Sequence, residues 1–155
     1  MNRFGLVGGL AIAVLPLTAA IGDDQHVMLQ PNNLQWTAAP PVLPTGAQIA
    51  VLYGDPDKAE PFVFRLRLPA GYKVAAHMHP NDYDVTVLSG TMYLGMGDKL
   101  DPARGEGLKT GAYLHLPKGT HHYEWSDEDT VIQLSGVGPV GMTYLNPADD
   151  PRKNQ

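Results

Sequence analysis

The stretch Gly71-Tyr-Lys-Val-Ala-Ala-His77-Met-His79-Pro-Asn-Asp-Tyr83 contains two histidines that are two residues apart. In an extended chain, residues with this spacing leave the same face, so His77 and His79 are expected side by side. Imidazole nitrogens bind divalent transition metals at about 2.0–2.1 Å, and the pair therefore predicts two ligands of one metal site. A third ligand must come from elsewhere in the fold, and the candidates are His115, His121 and His122.

Around this stretch the hydrophobic pattern has a period of two residues, which is typical of β-strands. The run Pro61-Phe-Val-Phe-Arg-Leu-Arg-Leu68 alternates strictly, with phenylalanine and leucine on one face and Val63, Arg65 and Arg67 on the other. The arginines either lie outside the fold or meet a carboxylate inside it. Many short strands and no convincing helix predict a sandwich or a small barrel. The other predicted strands cover residues 48–53, 84–89, 91–96, 111–116, 130–135 and 142–145.

The composition is that of one ordinary globular domain, with 43% hydrophobic and 17% charged residues in a chain of 155. The formal net charge is -5 and lysines and arginines do not cluster, so the sequence has no electrostatic footprint for nucleic acid. There is no cysteine, which excludes disulfides, cysteine-ligated zinc and thiol nucleophiles.

Residues 1–20 have the parts of a secretory signal peptide. Arg3 precedes an apolar run over residues 4–17, and Thr18-Ala19-Ala20 supplies small residues at a cleavage site. A membrane span needs about 20 apolar residues, more than this run contains. We therefore expect export to the periplasm or the medium, with no stable membrane insertion after cleavage; an uncleaved interfacial anchor is the alternative.

The remaining chain divides into three parts. Residues 21–46 are interrupted by prolines and predict an irregular arm that packs along the domain, with Leu34, Trp36 and Val42 as its anchors. Residues 47–146 contain the predicted strands and form the barrel. Residues 147–155 are polar and contain prolines, which predicts an exposed tail.

Two parts of the sequence resemble the two motifs of the cupin superfamily. The first motif has a glycine, five residues, His-x-His, three or four residues, a glutamate, six residues and a glycine, and residues 71–90 follow this order except at the glutamate. The second resembles the run from Gly111 through Pro117-Lys-Gly119 to His122. The wider chain is similar to small secreted cupins related to the metal-binding domain of ChrR-type anti-sigma factors.

The resemblance implies an all-β double-stranded β-helix, the jelly-roll or cupin barrel, with a metal near its centre. It implies that His77, His79 and His122 are the imidazole ligands. His121 then points away from His122 toward the surface, and His115 is expected in the core. Three histidines suit iron, copper, zinc or nickel, with manganese a poorer match.

The sequence departs from the first motif at its glutamate, because Tyr83 stands at that position. Three hypotheses remain open. Tyr83 binds the metal through its oxygen; Tyr83 stands off the metal as a hydrogen-bond donor or acid/base group; or Asp84 replaces the glutamate as a metal ligand. Alternation places Asp84 on the opposite face from Tyr83 unless a bulge re-aims it. Glu124 shares the parity of His122 and is a further group near the site.

The resemblance implies two classes of function. The first is a metal-dependent enzyme, dioxygenase-like or hydrolytic/isomerising, that acts on a small organic molecule with Tyr83 as a catalytic residue. The second is a non-catalytic sensor module that binds a metal or a ligand. Export separates the protein from the transcription machinery and favours the enzyme. We expect a homodimer.

Export is tested by the mature N-terminus. If Ala20 precedes the cleavage site, mass spectrometry of protein from its native host should show a chain that begins near Ile21. An intact Met1 in a cytoplasmic fraction would contradict the prediction.

Overall fold

The computed structural model describes residues 26–154, and the predicted signal peptide lies outside the described residues. The described chain contains eleven β-strands and four short 3₁₀ helices. None of the helices in this part of the chain is long and apolar enough to cross a membrane. The strands are β1 (Thr37–Ala38), β2 (Gln48–Tyr53), β3 (Pro61–Leu68), β4 (Lys73–Met78), β5 (Tyr83–Ser89), β6 (Thr91–Met96), β7 (Glu106–Lys109), β8 (Tyr113–Leu116), β9 (His122–Trp125), β10 (Thr130–Val137) and β11 (Thr143–Tyr144).

The strands form two antiparallel sheets. The first has the order β1-β2-β3-β10-β5-β8 and the second β11-β4-β9-β6-β7. Strands far apart in sequence are neighbours in both sheets, for example β3 and β10, which pair along their full lengths. This arrangement confirms the all-β prediction. The predicted strands do not include β1, β7 and β9, and β4 is predicted only as an extended stretch around His77 and His79. The strands β1 and β7 are short and lack an alternating pattern.

The main core fills the space between the sheets, and the alternation of β3 supplies much of it. Phe62, Phe64, Leu66 and Leu68 are all buried. Phe62 stacks on Phe64 with ring centroids 5.2 Å apart. The opposite face is the outside of the barrel: Arg65 donates to the Gln133 side chain at 3.0 Å, and the Arg67 guanidinium lies 4.3 Å from the Trp36 ring centroid. Both arginines are therefore outside the cavity.

Strand β4 changes face between its two ends. The pairing of β4 with β9 shifts register between Val74 and His77, whose partners are Glu124 and His122. Val74 and His77 have opposite parity, yet both are buried, Val74 in the main core and His77 against the ring of Tyr144, another residue of that core. A bulge in a strand re-aims the side chains that follow it. Here it turns the two histidines inward.

The N-terminal arm closes one end of the barrel. Its strand β1 pairs with β2, and two buried tyrosines donate hydrogen bonds to the carbonyl oxygens that follow in the arm. Tyr144 bonds the carbonyl of Val42 at 2.8 Å, and Tyr72 bonds that of Pro44 at 2.6 Å. These bonds fix the segment that borders the internal cavity.

Phe62→Ala tests the contribution of the aromatic stack to the core. Phe62 is 1% exposed, and truncation of a buried phenylalanine costs about 3–5 kcal/mol because a cavity remains. Urea denaturation should show this loss in the free energy of unfolding. The control Val137→Ala, at a position 53% exposed in the neighbouring strand, should change it by less than about 0.5 kcal/mol. Equal losses in the two variants would contradict the packing described.

Candidate metal centre

Three histidines converge inside the barrel. His77 belongs to β4, His79 follows the end of that strand, and His122 begins β9, where it pairs with His77. One ring nitrogen from each lies within 4.8 Å of the others, a spacing that fits ligation of one ion. The ring centroids of His77 and His122 are 4.1 Å apart. The structure thus brings together the three histidines that the cupin resemblance implies.

The backbone fixes the tautomer of each ring. In all three imidazoles Nδ1 lies 2.7–2.9 Å from a carbonyl oxygen, which can only accept a hydrogen bond, so Nδ1 carries the proton and Nε2 the lone pair. The carbonyls belong to Ala75, Gly141 and Thr120 for His77, His79 and His122, respectively. Metal-ligating histidines show this type of support.

One of these Nε2 atoms lacks a hydrogen-bond partner in the described part of the chain. Nε2 of His77 is buried and has no hydrogen-bond partner among the described residues. A buried polar atom without a partner is costly, whereas a bound transition metal takes the lone pair as a ligand. The donor set therefore fits a metal such as iron, copper, zinc or nickel.

Burial keeps the three rings neutral. It lowers the pKa of His77 to about 2, with the neighbouring imidazoles of His122 and His79 adding to the effect. Burial likewise lowers the pKa of His79 to about 4, and it lowers the pKa of His122. At neutral pH the Nε2 lone pairs are therefore free of protons and available to a metal.

Tyr83, at the motif's glutamate position, contacts His79. Its ring centroid lies 4.7 Å from that of His79, and its hydroxyl oxygen accepts a hydrogen bond from the Gly141 N–H at 3.2 Å. The carbonyl of the same Gly141 accepts the bond from His79. Burial raises the pKa of Tyr83, so the phenol is neutral. The structure thus links Tyr83 to His79 through one peptide segment.

Asp84 lies on the other face of the sheet, away from the histidines. Its carboxylate accepts hydrogen bonds from the Tyr113 hydroxyl at 2.6 Å and from His115 Nδ1 at 2.8 Å. No bulge interrupts β5 here, since Tyr83, Asp84 and Val85 pair regularly with β8. In this geometry Asp84 is not a metal ligand, and alternation explains why.

The other histidines lie at the surface. The expectation of a core His115 is wrong, because this residue shares the outer face with Asp84 and is exposed. His121 is exposed, as the sequence predicts, and its Nδ1 lies 2.6 Å from the Asp98 carboxylate. His26 is exposed as well.

A cavity of about 160 Å³ extends from His79 and His122 into the barrel. Among the residues that the structure describes, no lysine or arginine lines it. Pro40 and Asp57 line the cavity and are also exposed, so they mark its rim. The arm and the loop before β11 close this end, contributing Val42, Leu43, Val140 and Met142. The apolar wall includes Phe64, Leu66, Val85, Leu94, Leu114, Leu116, Ile132 and Leu134.

Glu124 is the acidic group inside the cavity. It lies two residues after His122 on β9, and its neighbours on β4 and β6 are Val74 and Leu94. Within residues 26–154 no hydrogen bond to its side chain is found, and burial raises the pKa of Glu124 to about 7. Its parity with His122 is the sequence signal that locates it.

Solved structures with the same architecture define the class. They include a candidate acetylacetone dioxygenase from Methylibium petroleiphilum PM1, with 19% identity, a TM-score of 0.61 and coverage of 82% of this chain and 85% of that one. The polyketide cyclase RemF from Streptomyces resistomycificus has 18% identity and a TM-score of 0.63, with coverage of 83% of this chain and 92% of that one. An RmlC-like cupin from Ralstonia eutropha JMP134 has 20% identity and a TM-score of 0.59, with coverage of 79% of this chain and 73% of that one. The chain has the cupin fold, and the predicted double-stranded β-helix is confirmed.

Within this fold the sequence has a defined family. Residues 18–139 match the family described as a domain of unknown function, DUF4437, and the chain belongs to that family. No curated protein matches the sequence.

The neutral histidines predict a pH dependence of stability in chelator-treated protein. As the pH falls below 6.5, these histidines become protonated in the unfolded chain but stay neutral in the folded protein. The free energy of unfolding is therefore highest above pH 6.5 and decreases below it. Each such histidine contributes about 1.4 kcal/mol per pH unit, down to about pH 4 for His79 and about pH 2 for His77.

Urea unfolding at a series of pH values measures this slope. His77→Leu should flatten it below pH 6.5 by about 1.4 kcal/mol per pH unit, because one neutral histidine is removed. His26→Leu, at an exposed position, is the matched control and should leave the slope unchanged. An unaltered slope in His77→Leu would contradict the burial of a neutral ring.

Proposed function

We propose that this protein is a metal-dependent enzyme that acts on a small organic molecule inside the barrel. One observation carries the proposal: three imidazoles are held with their Nε2 lone pairs converging, and two of the rings, those of His79 and His122, line an apolar cavity. A metal-binding group that served only structure would not need an internal cavity beside it. Enzyme sites are typically concave and apolar with a few convergent polar groups.

His77, His79 and His122 would hold the metal through Nε2. When bound with three protein ligands, such a metal supplies open coordination positions and Lewis acidity. No carboxylate of the described residues joins the three nitrogens, which favours iron, copper, zinc or nickel over manganese. The identity of the metal is part of the proposal.

The reaction class we propose is dioxygenase-like or hydrolytic/isomerising. Proteins with the same fold are described as a candidate acetylacetone dioxygenase and as a polyketide cyclase. Both names denote reactions of small organic molecules. In this chain the apolar wall would exclude water from the reacting groups, and the Nδ1 bonds would keep the ligand rings in one orientation.

Tyr83 acts in this proposal as a positioning residue. Its hydroxyl oxygen holds the N–H of Gly141, and the carbonyl of Gly141 orients His79. This role differs from the direct catalytic role that the sequence alone suggests for Tyr83. It agrees with a neutral phenol, since a phenolate ligand would require deprotonation against a raised pKa.

Export and a homodimer complete the proposal. Export rests on the pattern of residues 1–20. Both stay predictions.

Metal content tests the proposed site. Protein purified without an affinity tag should carry close to one equivalent of a transition metal by elemental analysis, and the double variant His77→Ala/His79→Ala should carry none, because one histidine does not chelate. His121→Ala is the control and should keep the full equivalent, since this ring faces solvent. If the double variant retains its metal, the site lies elsewhere.

Tyr83→Phe separates a positioning role from ligation. Loss of a group that supports a ligand should lower metal affinity by no more than about tenfold, whereas loss of a ligand would abolish binding. Because His79 loses part of its support, the visible spectrum of the cobalt-substituted protein should change. Tyr113→Phe, which removes a hydroxyl on the outer face, should leave both the affinity and the spectrum unchanged. Loss of metal in Tyr83→Phe would identify the phenol as a ligand.

A further inference from the structure

The cavity has one polar wall whose function the metal site does not explain. Glu124 presents its carboxylate to an interior that is otherwise almost wholly apolar apart from the ligand histidines and Tyr83. Within the described chain it forms no ion pair, and its strand neighbours Val74 and Leu94 offer no hydrogen bond from their side chains. Its carboxylate oxygens are accessible from the cavity, and a carboxylate in apolar surroundings favours a ligand that supplies a hydrogen-bond donor.

The size of the cavity limits what that donor can belong to. A leucine-, isoleucine- and phenylalanine-lined cavity of about 150 Å³ binds benzene, and the present cavity of about 160 Å³ has a similar wall. It therefore accommodates a molecule of about six to nine non-hydrogen atoms. His122 and Glu124 are two residues apart on β9, which separates their Cα atoms by about 7 Å. A single ring spans such an interval.

Charge limits the class further. Binding of an anion inside an apolar cavity requires a cation or several donors, and within residues 26–154 no lysine or arginine lines this one. Arg65 and Arg67 are on the outer face and bond to Gln133 and Gln48. Of the acids that line the cavity, Asp57 at the rim adds negative charge that no basic side chain of the described lining balances.

From these observations we propose that the site binds an uncharged, ring-sized and mostly apolar molecule that carries a hydroxyl group, and that Glu124 selects it by accepting a hydrogen bond from that hydroxyl. That the bound molecule is a substrate of the metal site rests on the proposed function, whereas its hydrogen bond to Glu124 does not. Glu124 is thus a specificity-determining residue, and the metal-free cavity binds carboxylates of the same size more weakly.

The test compares three ring-sized probes at neutral pH: p-cresol, toluene and benzoate. They share a ring and differ in a hydroxyl, a bare methyl and a charge. Calorimetry on chelator-treated protein should show p-cresol binding about fivefold more tightly than toluene, since a buried hydrogen bond contributes about 1 kcal/mol whether or not its acceptor is ionised. Benzoate should bind more weakly than either.

Variants of Glu124 locate the selectivity. Glu124→Leu removes the acceptor and should abolish the preference for p-cresol over toluene, while Glu124→Gln, which keeps the shape and an oxygen, should retain part of it. Glu128→Gln removes an exposed acid from the loop after β9 and should change nothing. A change in toluene binding that matches the change in p-cresol binding would reveal altered packing instead of a lost acceptor and would overturn the proposal.

Three other results would also overturn it. They are benzoate binding as tightly as p-cresol, an unchanged preference in Glu124→Leu, and no binding of any probe. Because the probes are measured without metal, these failures leave the metal-site proposal untouched. Conversely, if purified protein contains no metal but shows the expected selectivity, the proposal of a metal-dependent enzyme is refuted and the proposal about the ligand class is retained.

Discussion

The centre of this structure depends on three hydrogen bonds from imidazole Nδ1 to backbone carbonyls. Because the partners belong to the main chain, the direction of each Nε2 lone pair is fixed by the fold and not by the conformation of another side chain. The bonds set the tautomer of each ring, and burial lowers the pKa of all three rings and keeps them neutral. A neutral, oriented set of donors therefore exists before any ion binds, which reduces the reorganisation that binding requires.

The three supports differ in how they arise along the chain. Ala75 and Thr120 stand two residues before the histidines that they hold, so local geometry supplies these bonds. Gly141 is 62 residues from His79 in sequence and reaches it only because β11 pairs with β4. A side chain at position 141 would come within 2.9 Å of Pro80, which follows His79 directly. The absence of a side chain there thus lets the two segments approach.

The sequence predicts what local periodicity can encode. The alternation of residues 61–68 locates a strand and its buried face, and the spacing of His77 and His79 identifies a pair of ligands. His122 follows from the cupin resemblance. Strand alternation also predicts the outward direction of Asp84, and the same rule, applied to the neighbours Leu114 and Leu116, would have placed His115 outside as well.

What the sequence leaves open depends on contacts between distant segments. The link from Tyr83 through Gly141 to His79 has no periodic signal, because its members meet only after both sheets have formed. The closure of the cavity by the arm depends on Tyr72 and Tyr144, whose hydroxyls bond carbonyls 28 and 102 residues away. The bulge in β4 likewise leaves no signal in the sequence, since it is defined only by the pairing of β4 with β9.

The loop that carries Gly141 also borders the rim of the cavity. Its backbone is tied to the turn after β2, where Val140 N–H donates to the Pro56 carbonyl at 2.7 Å and Gly138 N–H to that of Glu60 at 3.0 Å. Access for a molecule and the orientation of His79 are thus properties of one peptide segment. Insertions or exchanges in this loop during evolution would alter gating and reactivity together, whereas the outer face of the six-stranded sheet is free to diverge without touching either.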